Sequence, residues 1–342
     1  MKYKLGICGL YFHINAVMEL PEEKIELVGI ADKKHAKDSI FFNPNVEPKK
    51  IAEDRNVPLY DNYMDLLDKE DPDIVAVYCV DSEKSDIIVE ALKRNKHVVS
   101  DKPLCISLEQ LDEIEKAVAS SQGSLALLLP FPYDGIYKKI KEIIVSGDIG
   151  EILSVRSRRA YIQKLNARPK WFFSKQHGGG LLCDIGTHEY DLVRYLTGKD
   201  ALEVTAYAAN GKIKQFETGE DYAQALFKMT DNVFYTLHLD RISALNSIGN
   251  QSSMEIIGTK GQIVVPIGSE KIIVTVEQSE GLAEYTKFPE VNIYDELMKD
   301  YMNSIESSDY SKPFFAPQVL KSVRSVLSAQ KSADDNETKI IT

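Results

Sequence analysis

The stretch from Gly178 to Asp191 carries an imidazole and carboxylates at spacings that suit proton transfer. After three consecutive glycines, the apolar pattern predicts an amphipathic helix with polar side chains at i, i+4, i+7 and i+11 on one face: Asp184, His188, Asp191 and Tyr195. A carboxylate and an imidazole one turn apart can act on one substrate, because histidine exchanges a proton near neutral pH. The alternative is structural, with Asp184 capping His188. The stretch lacks the second histidine of an HExxH pair, so no metal site is predicted.

A lysine follows a predicted strand in the segment Asp101-Lys102-Pro103. Open parallel sheets bind ligands at the carboxyl ends of their strands, so Lys102 is placed where it can donate to a substrate hydroxyl. Pro103 biases Lys102 toward an extended backbone and so holds the ammonium at the sheet edge. The alternative is a solvated lysine in an ordinary turn.

The turn after the first predicted strand has part of a dinucleotide-binding fingerprint. A strand, a glycine turn at Gly9 and a helix follow one another, which points helix N–H groups at a pyrophosphate. Tyr11 and Ile14 stand where the second and third glycines of the pattern would be. Either Tyr11 turns away from the cofactor or stacks on it, with His13 near a phosphate, or Tyr11 and Phe12 pack inside a domain that binds no dinucleotide.

Asp32 ends the second predicted strand, 23 residues after Gly9. At this separation a carboxylate meets the adenosine ribose hydroxyls. The position favours NAD, because a carboxylate would repel the 2′-phosphate of NADP. Lys33 and Lys34 follow directly and could instead hold that phosphate, so NADP is the alternative cofactor.

Two blocks of different periodicity have to position these residues. In the first, short β-branched runs alternate with amphipathic segments, which predicts an α/β Rossmann domain with a doubly wound parallel sheet over residues 1–124. The predicted strands are Lys2–Cys8, Ile25–Ala31, Ile74–Val80, His97–Asp101 and Leu125–Leu129. The predicted helices include Glu83–Arg94 and Leu108–Ala119, the latter opened by a capping box of Ser107 and Gln110.

The second block, residues 125–342, predicts an α+β domain with a large, open, mainly antiparallel sheet for substrate binding and oligomerisation. Its predicted strands are Glu151–Tyr161 and the hairpins Tyr222–Lys228 with Val233–Leu239 and Met254–Ile257 with Gln262–Pro266; its predicted helices are Gly135–Ser146, Tyr294–Glu306 and Pro317–Lys331. A sheet with one uncovered face needs a partner, which predicts a homodimer or homotetramer.

The composition of the chain limits the classes of function that it can have. The 342 residues are 44% hydrophobic and can bury the cores of two domains. A formal charge of -11 without a basic stripe argues against nucleic acid and acidic membrane surfaces as partners. Cys8, Cys79, Cys105 and Cys183 lie in apolar runs and are expected to be buried, reduced thiols. No apolar stretch suits a signal peptide or a membrane span of roughly 20 residues, so we expect a cytoplasmic protein.

The order of these motifs resembles that of the glucose-fructose oxidoreductase, inositol dehydrogenase and MocA-like family, Gfo/Idh/MocA, over nearly the whole chain. The family's Glu-Lys-Pro is similar to Asp101-Lys102-Pro103, its Ala-Leu-x-x-Gly-Lys-His-Val to residues 91–98 with Asn95 for glycine, and its Gly-Gly-Gly with Asp-x-Gly-x-His-x-x-Asp to residues 178–191. Two segments depart from the family. Its Thr-Pro-Asn-x-x-His reads Cys79-Val80-Asp81-Ser82-Glu83-Lys84 here, and its Asn-Arg-Arg-Phe is replaced by Leu129–Tyr133.

The resemblance implies an NAD(P)-dependent oxidoreductase acting on a hydroxyl or carbonyl carbon of a sugar, inositol or related polyol. It implies that His188 accepts a proton, Lys102 donates to the developing alkoxide and Asp184 orients His188 or a neighbouring hydroxyl. The implied cofactor-binding residues are Gly9, Leu10, Tyr11, Phe12, His13, Asp32, Lys33, Cys79, Asp81, Asp101 and Lys102. Two alternatives stay open: an NAD-dependent glycosidase of the same family, and a non-catalytic ligand-binding relative that has lost its cofactor.

Overall fold

The computed structural model describes residues 2–33, 35, 37–43, 45–160, 168–214, 219–242, 252–266, 271–276 and 281–341. The chain divides into two compact units. Unit 1 comprises Met1–Leu128, Lys164–Gly179 and Tyr294–Leu320; unit 2 comprises Leu129–Gln163, Gly180–Ile293 and Lys321–Thr342. The chain therefore returns twice to unit 1 after its N-terminal part. The functional division placed between residues 124 and 125 stays a prediction.

Unit 1 is built on a parallel sheet with strands β1 (Tyr3–Cys8), β2 (Ile25–Ala31), β3 (Leu59–Tyr60), β4 (Ile74–Val77), β5 (His97–Ser100) and β6 (Leu125–Leu127). Among the described residues these six strands follow the order β3-β2-β1-β4-β5-β6, and all neighbours are parallel. β4 is buried along its whole length, as expected for a central strand covered on both faces. The predicted doubly wound Rossmann sheet is confirmed, and its strand order reverses between β1 and β4.

The helices are α1 (Asn15–Met18), α2 (Pro48–Arg55), α3 (Tyr63–Glu70), α4 (Lys84–Lys93), α5 (Leu108–Ser120), α6 (Gly135–Ser146), α7 (Lys175–Gly178), α8 (Thr187–Thr197), α9 (Ile293–Ser307) and α10 (Ala316–Asp335). The hydroxyl of Ser107 accepts the N–H of Gln110 at the start of α5, as predicted. The returning Gln110 side chain, however, accepts from Ile106 and not from Ser107. Asn95 follows α4 with a φ of 60°, the left-handed conformation expected where the family has glycine. None of the helices in the described ranges is long and apolar enough to cross a membrane.

Unit 2 is built on a mainly antiparallel sheet with strands β7 (Ile152–Ala160), β8 (Ala201–Ala209), β9 (Tyr222–Met229), β10 (Phe234–Asp240), β11 (Ser253–Gly258), β12 (Gly261–Val265), β13 (Ile272–Val276), β14 (Leu282–Tyr285) and β15 (Lys339–Ile340). In the described part of the chain they form one nine-stranded sheet, ordered β14-β13-β12-β11-β7-β10-β9-β8-β15. β7 and β10 are parallel, and the other pairs are antiparallel. Buried and exposed residues alternate along β9, and the inner face packs on residues of α6 and α8. The predicted α+β fold is confirmed.

Several predicted boundaries are wrong for local reasons. β4 ends at Val77 and not at Val80, because the chain turns away and forms a short 3₁₀ helix at Asp81–Glu83. The predicted fifth strand ends at Leu127, and β3, with only two residues, was not predicted because such a short strand leaves no alternating pattern. The regular helix predicted after the glycines begins later, because Leu182–Gly186 form a π-helix before α8. Tyr161 lies outside the described residues.

Candidate active site

The first loop of unit 1 passes tightly over the end of β4. Gly9 has a φ of 86°, and its N–H donates to the carbonyl of Ala31. A Cβ on Gly9 would lie 2.4 Å from the Cα of Cys79, so only glycine fits. The predicted role of Gly9 as the tight-turn glycine therefore has a physical basis inside the fold, and Cys79 is the residue beneath it.

Aromatic packing occupies the place of the missing second glycine. The hydroxyl of Tyr11 donates to the carbonyl of Phe41 at 2.7 Å, and its ring meets Trp171 edge-on with centroids 5.5 Å apart. Phe12 has a φ of 47° and packs against Phe172. We call Tyr11, Phe12, Trp171 and Phe172 the first-loop aromatic cluster. Tyr11 thus packs against protein, which agrees both with a ring turned away from a cofactor and with packing in a domain that binds no dinucleotide; the choice between these two stays a prediction.

A pocket of about 330 Å³ opens beside Tyr11 at the end of β2. Asp32 lines it and is only 6% exposed. Burial, with the charge of Glu83, raises the pKa of Asp32 to about 7. The pocket lining also includes Lys33, His35, Phe42 and Asn43, and Asn43 donates to the carbonyl of Leu10. Its size and its buried carboxylate fit the adenosine half of a dinucleotide.

Lys33 is not placed as a lone phosphate-binding cation. Its ammonium lies 2.7 Å from Glu83 Oε1 and 5.3 Å from the ring centroid of Tyr63. Glu83 is on the 3₁₀ turn after β4, so the ion pair ties the end of β2 to that turn. Lys34 lies outside the described residues. The lining has three carboxylates, of Asp32, Glu47 and Asp61, against the two lysines Lys33 and Lys49, so its charges favour an unmodified ribose over a 2′-phosphate.

Buried charges hold the segment Asp101-Lys102-Pro103, which follows β5 and which we call the Asp101 corner. The Lys84 ammonium is 1% exposed, pairs with Asp81 at 2.8 Å, and donates to the carbonyls of Asp101, Lys102 and Pro103 at 3.0, 3.3 and 3.0 Å. Burial would lower the pKa of Lys84, but the charges of Asp81 and Asp101 raise it. The Lys102–Pro103 peptide is cis. Lys84 was not among the predicted site residues; the available signal was a lysine three residues after an aspartate that follows a buried strand.

His13 reaches the same corner from the first loop. Its Nδ1 lies 3.0 and 3.1 Å from the two carboxylate oxygens of Asp101, and its ring stacks on Tyr294. Burial would raise the pKa of Asp101, but the charges of His13, Lys84 and Lys102 hold it below its ordinary value. Asp101 also accepts the main-chain N–H of Lys102 at 2.9 Å. The predicted cofactor residues His13 and Asp101 are therefore brought together, as a support for Lys102.

In unit 2, the glycine-rich segment leads to a buried ion pair. Arg241 directly follows β10 and donates to the carboxylate of Asp184; both side chains are buried. Gly180 has a φ of 101°, and a Cβ there would lie 2.5 Å from Gln330 and 2.7 Å from Glu220. The third glycine is thus required by a close approach within the protein. That Asp184 orients His188 stays a prediction; the partner found for Asp184, Arg241, was not predicted.

His188 lies on an aromatic ring held by a second ion pair. Its ring centroid is 5.0 Å from that of Phe131. The Arg159 guanidinium lies 5.3 Å from the Phe131 ring centroid and pairs with Glu189 at 2.6 Å. Burial opposes the charge of Arg159, but Glu189 raises its pKa overall. Phe131 belongs to the segment that departs from the family pattern, so this chain supports His188 with a ring of its own.

The other residues of the predicted polar face have separate partners. Asp191 accepts from Ser322 at 2.7 Å, and burial raises its pKa to about 6. Tyr195 lies under the ammonium of Lys141, 5.4 Å from its ring centroid. Within the described ranges, no three His, Cys, Asp or Glu side chains are grouped as metal ligands. The four cysteines are buried, as predicted.

Two models of known protein families match the chain. Residues 3–127 match the family model described as "Oxidoreductase family, NAD-binding Rossmann fold", and residues 137–264 match "GFO/IDH/MocA C-terminal domain". The chain is 29% identical over 212 residues to the Bacillus subtilis protein YteT, whose oxidoreductase assignment is itself provisional. That alignment covers 59% of this chain and 48% of YteT, so the chain spans about half the length of that relative.

Two further likenesses extend over more of the chain. The scyllo-inositol 2-dehydrogenase (NAD(+)) of Bacillus subtilis is 27% identical over 267 residues, which is 76% of this chain and 71% of that protein. A solved oxidoreductase from Agrobacterium radiobacter, in complex with NAD+, L-tartaric acid and magnesium, superposes with a TM-score of 0.82 at 18% identity, covering 100% of this chain and 99% of that one. The second likeness supports the fold alone.

Proposed function

Because this chain belongs to the Gfo/Idh/MocA family of oxidoreductases, we propose that it is an NAD-dependent dehydrogenase or reductase acting on a CH–OH group of a sugar, inositol or related polyol. The observation that carries the proposal is the pocket at the end of β2, where Asp32 is buried beside the tight turn at Gly9 in a sheet of Rossmann order. The inositol dehydrogenase among its relatives supports the substrate class.

The residues present fit the cofactor. The main chain of the first loop, Gly9–His13, would face the pyrophosphate, and Asp32 would accept the ribose hydroxyls. The Lys33–Glu83 ion pair supports NAD over NADP, because Lys33, which lines the pocket, is already paired with a carboxylate. When bound, the nicotinamide ring supplies the site that accepts or donates a hydride.

The protein's own residues would move the proton. His188 accepts it from the substrate hydroxyl at its ring nitrogen, while its ring is held against Phe131. The ammonium of Lys102 hydrogen-bonds the oxygen on which negative charge develops. The Asp101 corner fixes the backbone of Lys102, and Arg241 fixes the carboxylate of Asp184, so these groups need little rearrangement during reaction.

The test is a screen of purified protein with NAD+ and a panel of inositols, aldoses and glycosides, followed by NADH formation. With the substrate found, His188→Ala should lower kcat about 10²- to 10⁴-fold, the range of general acid–base catalysis. Release of sugar without net NADH would favour the glycosidase alternative. Failure to bind any dinucleotide would favour the non-catalytic one.

We also propose that the outer face of the unit 2 sheet binds a second copy of the chain, giving a homodimer or homotetramer. Large apolar side chains are exposed there on adjacent strands, with Tyr207 63%, Leu226 50% and Phe234 48% exposed. Polar pairs such as Arg156–Glu255 lie among them. Sedimentation of wild type and Leu226→Glu tests this, since a monomeric wild type would contradict it.

A cytoplasmic location is part of the proposal and is supported by the burial of all four cysteines.

A further inference from the structure

The segment Arg168–His177 brings an excess of positive charge to the first loop of unit 1. It contains Arg168, Lys170 and Lys175 and no aspartate or glutamate, in a chain whose formal charge is -11. The segment belongs to unit 1, and it packs on the first loop through the first-loop aromatic cluster. A local excess of positive charge beside a loop in an acidic protein indicates an anionic partner at that loop.

The Arg168 guanidinium is held by aromatic rings. It lies 4.3 Å from the ring centroid of Phe12 and 5.0 Å from that of Phe172. Among the residues that the structure describes, no carboxylate is in ion-pair distance of it. Stacking uses the faces of a guanidinium and leaves the N–H groups on its edge for another acceptor. Because the Arg168 side chain is only half-buried, it also keeps a side that is open to solvent.

Two other basic side chains at or beside the first loop are already paired with carboxylates. His13 Nδ1 lies 3.0 Å from Asp101, and the Lys33 ammonium lies 2.7 Å from Glu83. A cation that already faces a carboxylate attracts an incoming phosphate less strongly than one that does not. Arg168 is therefore better placed than either of them to bind an anion at this loop.

The order of the residues along the first loop indicates which anion. Tyr11 lines the pocket at the end of β2, where the adenosine half of the cofactor is proposed to bind. His13 contacts the Asp101 corner, which carries the proposed donor to the reacting oxygen. The pyrophosphate of a dinucleotide joins its two ribose groups, so it would lie between these two ends of the loop, at Phe12. The ring of Phe12 is the one on which the Arg168 guanidinium stacks.

We propose that Arg168 binds the pyrophosphate of the dinucleotide and so replaces part of the contact that the second glycine of the fingerprint gives through its main chain. The inference rests on the proposed function, because it assumes that unit 1 binds a dinucleotide. Tyr11 puts a side chain where the fingerprint keeps the backbone bare. An arginine reaches a phosphate from farther away than a main-chain N–H does, and its planar fork matches two phosphate oxygens.

The experiment is calorimetric titration of the full-length protein with NADH and with ADP-ribose, which has the pyrophosphate but no nicotinamide. Four proteins are compared: wild type, Arg168→Met, Arg168→Lys and the control Lys170→Met. Lys170 is exposed in the same segment, so its replacement changes the charge of the segment equally. Arg168→Met should lower the affinity for both ligands at least about tenfold, and by a smaller factor at high salt, which screens the charge. Arg168→Lys should recover part of the loss, and Lys170→Met should change either affinity less than about twofold.

The outcomes separate this inference from the proposed function. A wild type that binds NADH, with unchanged affinity for NADH and ADP-ribose in Arg168→Met, would overturn the role of Arg168 and leave the proposed function standing; a raised KM for the substrate would then assign the guanidinium to an anionic substrate. A loss for NADH but not for ADP-ribose, or an equal loss in Lys170→Met, would also overturn it. A wild type that binds neither ligand would overturn both proposals. Circular dichroism checks that each variant is folded, and Arg168→Gln takes the place of Arg168→Met if the latter is not.

Discussion

Asp32 and Asp101 are buried carboxylates that follow strands of the same parallel sheet, but their surroundings have opposite effects. Asp101 is surrounded by His13, Lys84 and Lys102, whose charges hold its pKa below the ordinary value. Asp32 has no such group of cations among the described residues, and burial beside Glu83 raises its pKa to about 7. The first carboxylate is paired within the protein and stabilises a corner; the second lines an open pocket.

The largest expected effect comes from removing the cation on the Asp101 side. Lys84→Met removes the ammonium that pairs with the buried Asp81 and donates to three carbonyls, which should lower the free energy of unfolding by about 3–5 kcal/mol. Urea unfolding followed by circular dichroism measures it. The double variant Asp81→Asn/Lys84→Met should recover part of the loss. The control Lys96→Met breaks an ion pair with the exposed Asp71 and should cost less than about 1 kcal/mol. If Lys84→Met and Lys96→Met lowered the free energy of unfolding equally, the claim that buried cations stabilise the surroundings of Asp101 would be contradicted.

The contacts of the Asp101 corner hold the backbone of Lys102. Lys102→Ala should lower kcat about 10²- to 10³-fold, because the proposed donor to a developing alkoxide is lost, while NADH affinity changes little. Steady-state kinetics and NADH titration together check this. Lys93→Ala, an exposed lysine at the end of α4, is the matched control. An unaltered kcat in Lys102→Ala would mean that the corner supports no catalytic group.

The two carboxylates should respond to pH in opposite directions. The folded pKa of Asp32 lies above its ordinary value, so its ionisation costs stability as pH rises from about 4 to 7. Asp32→Asn should therefore raise Tm at pH 8 by more than at pH 5. The folded pKa of Asp101 is lowered, so its charge stabilises the protein above the ordinary pKa, and that stability is lost as pH falls below it. Asp101→Asn should lower Tm at both pH values. Parallel shifts in the two variants would contradict the assignment.

The smallest expected effect lies in the packing beside Asp32. Tyr11→Phe keeps the ring against Trp171 but removes the hydrogen bond to Phe41, which should cost about 1 kcal/mol. The measurement is urea unfolding, with the half-buried Tyr285→Phe on β14 as the control. A loss no larger than the control's would show that the hydroxyl does not help to hold the first loop.

The sequence predicted what local patterns encode. The alternating runs of unit 1 and the hairpins of unit 2 gave the fold class, and the position of Asp32 after β2 indicated a ribose-binding carboxylate. Local patterns did not predict which residues far apart in the sequence form ion pairs or hydrogen bonds with each other. Arg241 pairs with Asp184 across 57 residues and His13 with Asp101 across 88, and no periodicity links such positions. Lys84 was visible only as a departure from a family pattern, because its role depends on burial that a sequence does not show.

The most direct test of the central claim is a titration of wild type and Asp32→Asn with NADH, followed by energy transfer from Trp171, the only tryptophan. Trp171 belongs to the first-loop aromatic cluster and packs on Tyr11, which lines the pocket, so binding there should change its emission. We expect saturable binding by wild type and an affinity at least about tenfold lower in Asp32→Asn. Equal affinity in the two proteins, or no saturable binding by wild type at millimolar NADH, would contradict the account.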